Sequence, residues 1–406
     1  MANKPKIRFN EFSDEWEEKE LSEITEQYNE PVETPTNGYV RLGIRSHAKG
    51  TFHEYVPAGQ ELETAQMSCV RKDKLIFNIT FAWEHAVAIT DKDDEGKLVS
   101  QRFPQFTLSN EIFTDFFKYA ILDEKFRHKL WLSSPGGAGR NRVLNIKEAF
   151  EYIVKYPKAI NEQKLIGEFF NSISSLITST QVKLDKIIIL KKSMLEKMFP
   201  QKDAKVPELR FTGFSGNWEE KTLNEYLEVV TDKNEAETYG KEDVLSVSGD
   251  YGVVNQIEYQ GKSLAGASLV NYGIAHTGDV VYTKSPLKEQ PYGIIKTNKG
   301  KTGIVSALYG IFSRKGEILT DFIQYYFESD KRLNEYLRPL VNKGAKNTLL
   351  VSDEDSIKGI VHIPEIKEQQ LIINFFDNCT KLINDYRLEL EKLKTIKKSL
   401  LEKMFV

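Results

Sequence analysis

Two short strings look like the end of a phosphate-binding loop, "GKS" at 261–263 and "GKT" at 300–302. Such a loop needs a leading glycine five residues before the second one, so that backbone N–H groups and the lysine can surround phosphates. Those positions hold Gln256 and Ile295, and neither string can form the loop. "DDEGK" (93–97) has the acid-x-lysine spacing of a metal-dependent nuclease, but in a chain that is 28% charged such matches arise freely. Six scattered histidines and two distant cysteines, Cys69 and Cys379, show no metal-ligand spacing. No two prolines are adjacent, so an Asn-Pro-Pro-Tyr amine-methylation motif is absent. Ser, His and Asp are too common for a catalytic triad to be argued. Nothing here supports catalysis, and binding chemistry is left.

That chemistry sits in basic loops. "RLGIRSHAKG" (41–50) carries Arg41, Arg45, His47 and Lys49 with no acid among them. The glycine-rich "SSPGGAGRNR" (133–142) ends on Arg140, Asn141 and Arg142. Further along, Lys284 and Lys288 lie in "YTKSPLKEQPYG", Lys296, Lys299 and Lys301 crowd "IKTNKGKTG", and Lys343, Lys346 and Asn347 lie in "VNKGAKN". Arg and Asn can read guanine and adenine edges, while Lys mainly neutralises phosphate. Each residue alone also fits an ordinary solvated loop. Their recurrence at corresponding places in two halves of the chain favours DNA.

The elements that must position these loops are legible in outline. "KLIFNI" (74–79) and "DVVYTK" (279–284) read as strands, rich in β-branched and aromatic residues. "EIFTDFFKYAIL" and "EILTDFIQYYF" read as helices. Arg8, Phe9, Phe12 and Trp16 open the chain, matched by Arg210, Phe211, Phe214 and Trp218, and the aromatics are expected in the core.

That match is part of a repeat. Shifted by 206 residues, 161–199 aligns without a gap to 367–405, with 18 identities; chance gives about two or three. "TDFFKY" (114–119) meets "TDFIQY" (320–325) at the same offset. The expected fold class is α+β: two mixed α/β domains, 1–157 and 201–363, alternate with two spacer helices, 158–200 and 364–406. Steps of four and three residues trace a heptad seam through the first helix: Ile166, Phe170, Ile173, Ile177, Thr180, Leu184, Ile187, Lys191, Met194, Met198. The second seam runs Ile372, Phe376, Cys379, Ile383, Tyr386, Leu390, Leu393, Lys397, Leu400, Met404. Such seams predict a coiled coil, here an antiparallel pair about 58 Å long with the mixed domains at its two ends, related by a pseudo-two-fold axis. Leu165, Phe169, Leu176 and Leu195 widen the apolar face, and fit either the intramolecular pair or another protein's helix.

At 406 residues and 40% apolar, the chain is long enough for two cores. No apolar run reaches bilayer length, and two cysteines fit a reducing cytoplasm. Net charge is −3, so any nucleic-acid affinity must reside in local patches.

The combination resembles the specificity (S) subunit of type I restriction–modification systems across the whole chain. The "P-x-[IL]-R-F…F…W" starts at 5–16 and 207–218, the "EQ-x-L-I-x-x-FF" helix openings at 162 and 368, and the "KKS-x-LEKMF" helix ends carry the likeness. The resemblance implies two target-recognition domains reading a bipartite double-stranded DNA site, with the helices fixing the gap. It implies a non-catalytic chain that recruits two methylation (M) subunits and restriction (R) subunits. S-adenosylmethionine, ATP and Mg belong on those partners, and no cofactor or metal on this chain. The domain interiors align with no known recognition domain, so the target sequence is unreadable. The competing expectations are a coiled-coil scaffold with protein-binding terminal domains, and a DNA enzyme with an unrecognised site.

Overall fold

The computed structural model describes residues 4–62, 66–136, 142–202, 204–284, 291–343 and 349–405. The chain divides into two compact units, Met1–Gln181 with Leu388–Val406, and Val182–Arg387. The division falls inside the two long helices, Ile160–Lys197 and Ile366–Met404, so each unit holds a part of both.

In the first unit, a four-stranded sheet has the order Thr25–Tyr28, Gln105–Leu108, Lys74–Phe77, Val87–Ile89. A five-stranded sheet carries Tyr39–Ile44 and Thr51–Val56 at one edge. Side chains on a strand alternate between faces, and Lys74–Phe77 uses both. Leu75 and Phe77 enter the main core with Phe106, Phe116 and Phe126, while Ile76 enters a second cluster with Leu42, Ile44 and Val70. Glu17–Glu20 pairs antiparallel with Ile153–Tyr156, just ahead of the first long helix.

The second unit builds its four-stranded sheet in the same order: Leu227–Val229, Tyr309–Arg314, Val280–Thr283, Ile294–Thr297. The alternation also recurs, with Val280 and Tyr282 in the main core and Val281 in a second cluster with Leu245, Val305 and Ile311. Glu219–Thr222 pairs with Ile360–Ile363 ahead of the second long helix. The predicted strands and the "TDF" helices (Thr114–Ala120 and Thr320–Tyr326) form in both units.

The recurring letters have physical work in each unit. Glu162, buried at the start of the first long helix, takes both arms of Arg8 at 2.7 Å and the indole N–H of Trp16 at 3.4 Å. Gln163 accepts from Phe113 N (2.7 Å) and donates to the carbonyls of Pro157 and Glu111. In the second unit Glu368 takes Arg210 at 2.7 Å through both arms, and Gln369 accepts from Leu319 N and donates to Pro364 O. The "EQ" pair thus clamps each N-terminal strap and the following helix to a long helix. Arg8→Ala strands the Glu162 carboxylate in the interior. It is expected to destabilise the first unit by about 2–3 kcal/mol, read from the urea midpoint.

The long helices end two or three residues inside the expected 158–200 and 364–406, because Pro157 and Pro364 precede them and Pro200 follows the first. In the first unit Phe170 meets Phe405 at 5.9 Å and Ser174 accepts from Lys397 at 2.8 Å, so the opening of one helix runs antiparallel to the end of the other. The second unit shows the same relation, with Phe199 stacked on Phe376 at 5.9 Å. All twenty seam positions are buried or half-buried. Of the flanking residues, Leu195 is buried and Phe169 half-buried, while Leu165 and Leu176 are exposed, as are Leu371 and Leu382 at the matching positions of the second helix.

Candidate nucleic-acid interface

The loop at 45–50 in the first unit is a rigid hairpin end. Arg45 N–H bonds Gly50 O at 2.9 Å, and Gly50 takes the left-handed φ of +82° that closes the turn. His47 and Ala48 also have positive φ, 62° and 48°. Three bonds hold them there: His47 N to Glu84 O and Ala48 N to His85 O, both 2.8 Å, and Ser46 Oγ to Glu84 Oε2, 2.6 Å. Arg45 donates to Thr51 O and lies 5.2 Å over the Phe52 ring. Lys49 is exposed and, among the described residues, makes no ion pair. Arg41 is different. It faces Glu54 across the strand pair and binds it at 2.6 and 3.0 Å.

Arg140 and Asn141 lie outside the described residues. Arg142 stands at the end of that loop, with its guanidinium over two indoles, 5.5 Å from Trp83 and 5.1 Å from Trp131. Trp83 belongs to the short 3-10 helix Ala82–Glu84, the same turn that anchors Ser46, His47 and Ala48. The 45–50 loop and Arg142, some ninety residues apart in sequence, therefore meet on one turn. Phe81, Trp131 and Val143 are exposed. Neither Trp83 nor Trp131 was among the predicted binding residues. The signal for them was present: of the four tryptophans, Trp16 and Trp218 are matched by the repeat and these two are not.

Beneath the turn, buried His85 donates from Nε2 to Ile121 O at 2.8 Å, and burial pushes its pKa below 6.5 against the opposing pulls of that bond and of Glu124. Arg127 and His47 push the same way as burial. The unfolded chain therefore binds a proton that the folded one refuses, from pH 6.5 down to the folded pKa, and stability falls as pH falls through that window. The slope is at most about 1.4 kcal/mol per pH unit. Urea unfolding at pH 7.5 and 5.5 is expected to show a smaller acid loss in His85→Gln than in the parent chain.

In the second unit the predicted lysines are dispersed. Lys284 pairs with Asp353 at 2.9 Å. Lys299 is taken by Asp377 at 2.6 Å and Asp321 at 3.3 Å, over the Tyr325 ring. Lys301 is exposed, with no ion pair among the described residues. Lys284 and Lys299 follow strands that pair Thr283 with Ile294 and Val280 with Thr297, so they leave opposite ends of that pair. Lys296 is buried, 3.6 Å from Glu328, and burial lowers its pKa; no surface is open to it. Lys343 sits on the strand Asn342–Lys343. Lys288, Lys346 and Asn347 lie outside the described residues. Among the described residues no cluster of His, Cys, Asp or Glu is placed to hold a metal, and no helix is long and apolar enough to cross a membrane.

No protein-family model and no curated protein matches the chain. Solved structures do. The S subunit of a type I restriction–modification system from M. genitalium aligns over 99% of both chains, with TM-score 0.60 and 14% identity. A chain from a structure of complex assembly and conformational transition in the type I R-M system aligns over 96% of this chain and 97% of that one, with TM-score 0.51 and 14% identity. The HsdS subunit from Thermoanaerobacter tengcongensis aligns over 96% of each, with TM-score 0.45 and 15% identity. At these identities the likeness is one of fold.

Proposed function

We propose that this chain is the DNA-specificity subunit of a type I restriction–modification complex, working in the cytoplasm. The observation that carries the reading is a fold likeness to an S subunit that spans 99% of both chains. The 45–50 loop and Arg142, meeting on one turn of the first unit, add the chemistry that a DNA reader needs. Each unit reads one half of a bipartite site, and the paired long helices, a coiled coil built from the repeated sequence, set the gap between the halves. The exposed leucines at matching places on the two helices (Leu165, Leu176, Leu371 and Leu382) suit two copies of one helical partner, the M subunit. Methyl transfer to adenine, ATP-driven translocation and cleavage fall to the M and R subunits, with S-adenosylmethionine, ATP and Mg there. This chain supplies recognition and no catalytic group.

The test is the adenine methylome of the host with and without this chain. One bipartite motif is expected to vanish on deletion, and the chain is expected to co-purify with two M subunits. A methylome unchanged by the deletion, or purified chain that by itself cuts or methylates DNA, overturns the reading.

A further inference from the structure

Which cation of the first unit selects a base, rather than merely holding phosphate, follows from how the arginines are held. Arg8 is locked on Glu162, Arg41 on Glu54, Arg71 on Glu30, and Arg127 on Glu124, while Arg45, over the single Phe52 ring, spends a donor on Thr51 O. A guanidinium engaged by a carboxylate is poorly placed to take a second planar partner. Arg142 is held by another means. Two indoles carry its cationic face, and among the described residues no acid takes its N–H donors. The indoles are themselves fixed. Trp83 Nε1 donates to Thr80 O at 3.2 Å, and Thr80 is tied through its hydroxyl and N–H to Asn78 Oδ1 at 2.8 and 3.2 Å. His128 stacks on Trp131 at 5.9 Å and 10°.

Two rings, 5.1 and 5.5 Å from the guanidinium carbon, restrict where it can swing, and among the described residues no hydrogen bond takes its donors. That is the arrangement in which the rotamer entropy of arginine is spent before a ligand arrives and the N–H fork keeps its full donor set. The partner that matches a planar fork of two parallel N–H groups in DNA is the O6/N7 edge of guanine in the major groove. A phosphate needs only a positive charge, and Lys49, exposed on the neighbouring loop, already provides one.

We propose that Arg142, oriented by Trp83 and Trp131, selects a G·C pair in the half-site read by the first unit. The inference deepens the proposed function and rests on it. Arg142 touches the base; the two tryptophans are positioning residues.

The experiment is the adenine methylome of the native host carrying the full chain as parent, deletion, Arg142→Lys, Trp131→Ala or Trp131→Phe. Deletion tests the function itself, and a bipartite motif that survives it overturns both the function and this inference. With the motif lost on deletion, Arg142→Lys is expected to relax one G·C position of one half-site, raising modified sites with another base there at least tenfold. The other half-site stays unchanged. Trp131→Ala is expected to relax the same position, and Trp131→Phe, which keeps a ring under the cation, to restore it. A fold defect in Trp131→Ala lowers modification everywhere without changing base preference, and Arg142→Lys then decides. Arg142→Lys that lowers modification evenly with every base preference kept, or that alters the second half-site, overturns the assignment.

Discussion

Phe199→Ala is expected to lower the stability of the second unit by about 3–5 kcal/mol, the largest single-residue effect among these predictions. The ring is fully buried just beyond the end of the first long helix. It stacks on Phe376 at 5.9 Å, meets Phe322 at 5.5 Å, and packs edge-on against Trp218 and Tyr326. Arg332 lies 4.8 Å above it and donates to the carbonyls of Leu195 and Tyr326. Truncation therefore opens a cavity bordered by four aromatic rings and removes the surface that a buried cation covers. Neither loss can be recovered by a small shift of backbone. For a unit of about 200 residues the change corresponds to a fall in Tm of about 10 °C. Calorimetry or urea unfolding checks it. A Tm within a degree or two of the parent shows that the long helix is not integral to this core.

Seven residues added to each long helix, after Thr178 and at the matching place after Asn384, are expected to lengthen the DNA gap by about three base pairs and leave both half-sites unchanged. The proposed function carries this prediction. A heptad adds about 10.5 Å at 1.5 Å per residue, against about 3.4 Å per base pair, and it returns the seam to the same face. A single added residue turns the seam by about 100°. It would turn buried Leu184 and Leu390 out of the seam, so it is expected to abolish modification rather than shift the motif. The methylome of the host checks both insertions. A heptad that changes the bases read, with the gap kept, sinks the role of the helices as spacers.

The period of the seam positions is local. The seam reaches the structure as twenty positions with none exposed, including the two lysines that break it. What the sequence withheld is the reason those lysines are tolerated. Lys191 finds Glu328 at 2.6 Å, from a distant helix end, while Lys397 finds Ser174 and the Tyr119 ring, and burial lowers its pKa. The basic stretches were read as loops, but Arg41, Lys296 and Lys343 stand on strands, and which cations are free or occupied was not written in them. Lys284 and Lys299 are neutralised by acids 69 and 78 residues away, and no local pattern encodes those partners. Trp83 and Trp131 could not be joined to Arg142 from spacing, since the turn that brings them together is set by the pairing of Leu75 to Phe77 with Val87 to Ile89.

The first unit closes its core with Met404 and Phe405, the latter stacked on Phe116 and packed against Trp16 and Phe170. On the ribosome that ring emerges 235 residues after Phe170, about 10–50 s at ordinary elongation rates. The second unit is made of one continuous stretch and can fold while the first still waits. The half of the protein that is synthesised first is thus completed last, and until then its aromatic pocket is open to chaperones or to the closing phenylalanine of another nascent chain.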